Sequence, residues 1–233
     1  MRSLVALALL LSTFPAAARV RAVGSRLDQP RTIVVVTAHP DDELLLAPYL
    51  ANRCVRGGAV CTLLVMTTGN AAGLGDVRAG EMARAAAILN TRLIQWNYAD
   101  VMTDIAATWA AQAGDRATLV RQLGDAIRGA DMVLTFDPLH GSTGHPAHRE
   151  IGSLVLETGV PHIWLVETVA TFAGNGFVLA NGGGDRSSVY VTNADWEFAV
   201  RVAETHATQF NAEQVESLRT LPVEQRRVWL MPH

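Results

Sequence analysis

Two clusters in this 233-residue sequence have the side chains and spacing to hold a metal ion. The first is Ala38-His39-Pro40-Asp41-Asp42-Glu43, a histidine, a proline and three consecutive acids. The second runs from Asp137 to His148 and carries His140, His145 and His148. His145 and His148 stand three apart where a loop enters a helix, so one turn can aim both at a single point. Together the clusters have the composition of a catalytic zinc site, which uses about three N/O ligands and leaves one position to water. Plainer readings exist. Acids favour the first turn of a helix, where they meet the macrodipole, and a lone histidine is more often structural than a ligand. Neither explains His39 together with the doubled Asp41-Asp42. His140 and His162 are read as structural or surface residues.

The elements that must position these residues can be read from periodicity. The β-branched run Ile33-Val34-Val35-Val36 reads as a buried strand over about 32–38. It stops in acids that are too costly to bury unpaired. They therefore belong in the crevice outside the strand carboxyl ends, where open α/β sheets bind ligands. A helix is expected over about 42–56, kinked or delayed by Pro48. A strand follows at 60–66, then the polar loop Thr67-Thr68-Gly69-Asn70, kept irregular by Gly73 and Gly75. Asp76 is the expected N-cap of a helix through Leu89. Further strands are expected at 93–96, 132–136 and 162–167, and helices at 115–129, 147–157 and 194–206. Asn181-Gly182-Gly183-Gly184-Asp185 reads as a turn between two short strand-like pieces. From Asn211 a helical tail runs towards Pro232-His233. Strands alternating with helices imply βαβ units, a mostly parallel sheet and an α/β fold. Residues 32–233 read as a single domain, without internal repeats.

Composition removes several functions. The formal net charge is −3, and no basic run is present, so nucleic acid and anionic membrane surfaces are not expected partners. All 19 basic residues are Arg. A Walker-type phosphate loop and a Schiff-base nucleophile both need the Lys this chain lacks. Residues 1–18 have a charged start, the apolar run Leu4–Leu11 and a small-residue site at Ala16-Ala17-Ala18. They read as a secretory leader cleaved near Ala18, too short to span a bilayer. Residues 19–31 read as a connector. The expectation is an exported protein with no stable membrane span after cleavage. Export permits a disulfide, and the glycines between Cys54 and Cys61 suggest a helix-to-strand turn that could bring the sulfurs together. The other reading is two small buried apolar residues.

The two boxes, Ala38-His39-Pro40-Asp41-Asp42-Glu43 and His145-Pro146-Ala147-His148, resemble those of the PIG-L/LmbE-like de-N-acetylases. The likeness extends over about residues 32–210. It takes in Arg78-Ala79-Gly80-Glu81 at an R-x-x-E position, Asp100 after the third strand, and His206-Ala207-Thr208-Gln209 at an H-x-[ST]-Q position. The resemblance implies a Rossmann-like three-layer sandwich and zinc-dependent hydrolysis of an N-acetyl amide, usually on a glucosamine-type sugar. Carried over by position, His39, Asp42 and His148 are the Zn²⁺ ligands and Asp41 is the general base. His145 assists the developing oxyanion and protonates the leaving amine. Zinc suits this reaction because it polarises a poor electrophile and lowers the pKa of water to about 7. Arg78, Asn70 and Asp100 are candidates for gripping sugar hydroxyls; an ion pair, a turn residue and a helix cap are the alternatives. Ala147 and Asn70 stand where relatives usually carry acids.

Two other functions bear comparison. A phospho-acceptor domain also clusters acids at strand ends, but it relies on a Lys. A sugar-binding protein of the same fold with a degenerate site is the second alternative. The expected partner in either sugar-directed reading is a small molecule or glycan bearing an N-acetylated amino sugar.

Overall fold

The computed structural model describes residues 30–173, 176–181, 188–191 and 193–233. The expected leader, the connector up to residue 29 and the glycine run 182–185 lie outside the described residues. Among those described, no helix is long and apolar enough to cross a membrane.

The first strand, β1 (Thr32–Thr37), is β-branched and buried towards its carboxyl end. The expected helix over 42–56 is three pieces: a 3₁₀ turn Asp42–Leu46, an α-helical turn Ala47–Leu50 and a π-helical segment Ala51–Arg56. Pro48 is the cause of the first break. It lacks an amide hydrogen, so it sits in the first turn of the α-helical piece, where none is needed. Strand β2 (Val60–Thr67) follows, and the Cys54–Cys61 disulfide ties it to the π-helical segment.

Helix α1 spans Gly75–Ile88. Asp76 is not its N-cap but lies in its first turn, and Leu74 occupies the cap position. The turn Asn70–Ala72 presses against the helix start. A Cβ on Gly75 would stand 2.7 Å from Asn70 Cβ, so the chain enters the helix through a glycine. Strand β3 (Thr91–Tyr98) is eight residues long rather than four, and forms one edge of the sheet. Helix α2 (Ile105–Ala113) had not been expected. Helix α3 (Arg116–Ile127) is capped by the Asp115 carboxylate, which accepts from Thr118 N at 2.6 Å. It buries Leu119, Leu123 and Ile127. Strand β4 (Met132–Phe136) is wholly buried and leads into helix α4 (Pro146–Glu157).

Strand β5 (Ile163–Val166) is followed by the antiparallel hairpin β6 (Thr168–Ala173) and β7 (Gly176–Asn181), then β8 (Ser188–Val191). Helices α5 (Trp196–Thr205) and α6 (Ala212–Thr220) come next, the latter with a capping box from Asn211 and Gln214. The tail is not helical to its end. Arg227–Pro232 forms β9, between β5 and β8.

The main sheet has the order β3-β2-β1-β4-β5-β9-β8, parallel through β5 and antiparallel beyond it. The 42–56 segment, α1, α5 and α6 pack on one another, as do α2, α3 and α4, and the two groups are the outer layers of a three-layer α/β sandwich. The strand order reverses between β1 and β4. This is the topological switch point, and both chemistry-bearing clusters emerge there, one after each of these two strands.

Candidate active site

Directly after β1 the chain turns back on itself. Asp42 Oδ2 accepts the amide hydrogens of Ala38 and His39 at 3.0 and 2.8 Å. Its Oδ1 is thereby aimed across the crevice, 2.9 Å from His148 Nε2. Burial would raise the Asp42 carboxyl, but the charge and hydrogen bond of His148, with His39, hold it below the usual carboxylate range. His39 lies between two acids, its Nε2 at 3.3 Å from Asp100 Oδ1 and its Nδ1 at 3.7 Å from Asp42 Oδ2.

Asp41 adopts φ 101°, ψ −20°, a region that residues other than glycine rarely enter and that collects at functional sites. Its carboxylate lies within 3.2 Å of Arg78 Nη2. Burial pushes this carboxyl up to about 7. The neighbouring Asp42 charge adds to the rise, and Arg78 opposes it.

The second cluster starts from Asp137, whose carboxylate accepts from the amides of Leu139 and His140 and pairs with the His140 ring. His140 is thus a loop brace with an exposed side chain, and His162 is exposed beyond the end of α4. Gly152 seats α4 on the end of β4. A Cβ there would stand 2.3 Å from Phe136 O. One turn earlier on the same helix face, His148 stacks on the Phe136 ring with centroids 4.2 Å apart.

The tautomers follow from fixed partners. His148 Nδ1 lies 2.9 Å from Gly141 O, with Thr143 Oγ1 at 3.0 Å. A carbonyl can only accept, so Nδ1 carries the proton and Nε2 presents a lone pair to Asp42 Oδ1. Two acceptors at 2.9 Å require a cation or a second proton between them. Burial would depress His148, yet Asp42 raises it above its ordinary value, so the position favours positive charge. A backbone carbonyl on the far nitrogen of a histidine is also the usual support of a metal ligand. The donor set therefore fits a divalent cation.

His145 differs. It is the N-cap of α4, and its Nδ1 accepts from Ala147 N at 3.2 Å. Burial, with the charges of His39 and His148, pushes its pKa down to about 4. It is therefore neutral at pH 7 with its proton on Nε2. Ligand-capable atoms of His39, His145 and His148 all lie within 4.8 Å of one another.

The remaining candidates divide. Arg78 and Asp100 line the cavity at this site, about 410 Å³ in volume, while Asn70 does not, and its neighbour Ala71 takes the place. Arg78 gives its Nη hydrogens to Pro40 O, Gly69 O and Asp41. Hydrogen bonding to His39 lowers the Asp100 carboxyl, and Asp100 also accepts from Ala71 N. Leu44, Leu45, Met102 and Phe210 add apolar surface to the cavity. Glu43, unassigned from sequence, is fully buried against His206. Its only sequence signal is membership of the first box.

Residues 34–158, more than half the chain, match the PIG-L family, described as GlcNAc-PI de-N-acetylase. No curated protein matches the chain by sequence. Among solved structures, N,N'-diacetylchitobiose deacetylase from Pyrococcus horikoshii is similar at TM-score 0.67 and 15% identity, over 90% of this chain and 86% of that one. The 4-carboxy-2-hydroxymuconate hydratase from Pseudomonas putida is similar at 0.62 and 16%, over 87% and 95%. The zinc-inhibited form of a teicoplanin deacetylase is similar at 0.60 and 15%, over 87% and 98%. Deacetylases and a hydratase share this fold, so activity must be argued from the site.

Proposed function

This chain belongs to the PIG-L family of de-N-acetylases, and on that premise we propose that it is an exported, zinc-dependent hydrolase removing an N-acetyl group from an amino sugar such as an N-acetylglucosaminide. One observation carries the reading: at the switch point Asp42 lies 3.7 Å from His39 Nδ1 and 2.9 Å from His148 Nε2, and beside them stands Asp41, whose carboxyl is raised to about 7.

His39, Asp42 and His148 would hold the ion. Zn²⁺ would supply Lewis-acid polarisation of the amide carbonyl and lower the pKa of water. Asp41, next to Asp42 and held by Arg78, takes the proton from the attacking water. His145 is not a ligand, because its Nδ1 lone pair serves the α4 cap and its Nε2 carries hydrogen. That Nε2–H donates to the oxygen on which charge develops, and a neutral donor fixed in advance is effective there. The leaving nitrogen then receives its proton from Asp41, which acts as base and acid in turn. Arg78 holds the Asp41 carboxylate, and Asp100 orients His39. The Cys54–Cys61 disulfide supports export, because such bonds persist in oxidising compartments. The mature N-terminus, read by mass spectrometry, tests the leader.

The test of function is acetate release from a panel of N-acetylglucosaminides, with metal content determined on the same sample. Release that a chelator abolishes and zinc restores is the expected result. No release from any member by fully metal-loaded protein would overturn the reading in favour of a binding protein or a different reaction.

A further inference from the structure

Three ionisable side chains, Glu43, His206 and Glu81, are almost completely buried at 0, 0 and 2% exposure, and none lines the catalytic cavity. Removing such groups from water costs several kcal/mol each unless partners compensate, and their partners form one connected path. His206 Nε2 donates to Glu43 Oε1 at 2.6 Å. Glu43 Oε2 accepts the amide hydrogen of Asp41 at 3.1 Å. That amide belongs to the residue at φ 101°, whose backbone would relax without an anchor.

The same path explains the spacing Arg78-x-x-Glu81. Three apart on α1, the two side chains share a face. Arg78 reaches the carboxylate of Asp41. Glu81 accepts from Thr208 N and Thr208 Oγ1 at 2.9 and 2.6 Å, which fixes the segment that begins with His206. The amides of Gln209 and Phe210 in turn donate to His206 O. One helix therefore holds the base from two directions, through its side chain directly and through its backbone by way of the tail.

We propose that Glu43 is a positioning residue for Asp41, held in place by His206, so that the buried His206 side chain sets the geometry of the base without lining the cavity. The inference rests on the deacetylase reading only in naming Asp41 the base. A misplacement of about 1 Å costs on the order of 100-fold in rate. His206→Phe removes the donor, and His206→Gln retains an N–H that can reach Glu43.

The experiment compares wild type with His206→Phe, His206→Gln and Glu43→Gln, all metal-loaded, by steady-state acetate release, metal content and hydrogen exchange of the Asp41 amide. His206→Phe and Glu43→Gln should lower kcat by about 10–100-fold at unchanged KM and unchanged metal content. They should also expose the Asp41 amide to exchange, while His206→Gln should recover kcat to within about threefold of wild type. A purely structural role would lower the folded fraction and leave kcat per folded chain intact. Wild-type kcat and wild-type Asp41 protection in His206→Phe would overturn the proposal. Should that variant not fold, the same result in Glu43→Gln overturns it. The exchange measurement needs no substrate, so it stays decisive even if wild type releases no acetate, a result that counts against the proposed function alone.

Discussion

Replacing the base should stabilise the metal-free protein. The Asp41 carboxyl rises from 3.8 in the unfolded chain to about 7 in the folded one. A raised carboxyl contributes stability below pH 3.8 that is lost as pH climbs through about 7. Above that window the folded state carries a charge it disfavours. Three units at 1.36 kcal/mol each set a ceiling of about 4 kcal/mol. The side chain is 20% exposed, so screening reduces the realised cost to about 1–2 kcal/mol. Asp41→Asn removes the charge while keeping a residue type that tolerates positive φ. The variant should therefore match wild type near pH 4 and gain about 1–2 kcal/mol at pH 8, with a Tm higher by about 2–8 °C. Its acetate release should fall by about 10²–10⁴-fold. Bound metal should shrink the stability gain, because a cation beside Asp41 favours its charged form. Urea unfolding of metal-free wild type and variant at pH 4 and 8 is the assay. A variant less stable than wild type at pH 8 but not at pH 4 would refute the reasoning, since it would mean that the charged carboxylate stabilises the fold.

Three further outcomes are expected. Gly152→Ala should cost about 1–3 kcal/mol and weaken metal binding, because its methyl meets Phe136 O and lifts the helix that carries His148; thermal unfolding and metal titration check both effects. Converting Cys54 and Cys61 together to Ser should cost about 2–3 kcal/mol in chemical unfolding, the loop-closure value for a separation of seven residues. His145→Ala should lower kcat by about 10²–10³-fold, and the wild-type pH–rate profile should show no limb from His145 near pH 6.5, because this imidazole titrates near 4.

Much of this arrangement was legible in the sequence, for identifiable reasons. The parallel strands announce themselves because a strand covered on both faces is almost wholly apolar, as Ile33–Val36 is and as Met132–Phe136 is apart from Thr135. The pairing of the two boxes was legible because the acids following β1 could not be buried without partners. Helix α2 was not legible. Its run Ile105–Ala113 is mostly alanine, it buries only Ile105 and Trp109, and its N-cap Asp104 makes no side-chain cap. Strand β9 carried a usable signal, Val228 and Leu230 inward and Trp229 and Met231 half-exposed, that the Pro232-His233 ending obscured. The neutral state of His145 could not be read from sequence, because it depends on the burial and the neighbouring imidazoles that folding brings together. Glu43, Glu81 and His206 lie far apart in the chain, and only the packing of α1 and α5 reveals why each is present.

The most direct test of the account is zinc stoichiometry in metal-stripped protein titrated with the ion, for wild type, His148→Ala and His145→Ala. One ion per chain should bind to wild type and to His145→Ala, and none to His148→Ala. Full retention by His148→Ala, or loss of the ion from His145→Ala, would contradict the assignment of His39, Asp42 and His148 as the metal-holding set.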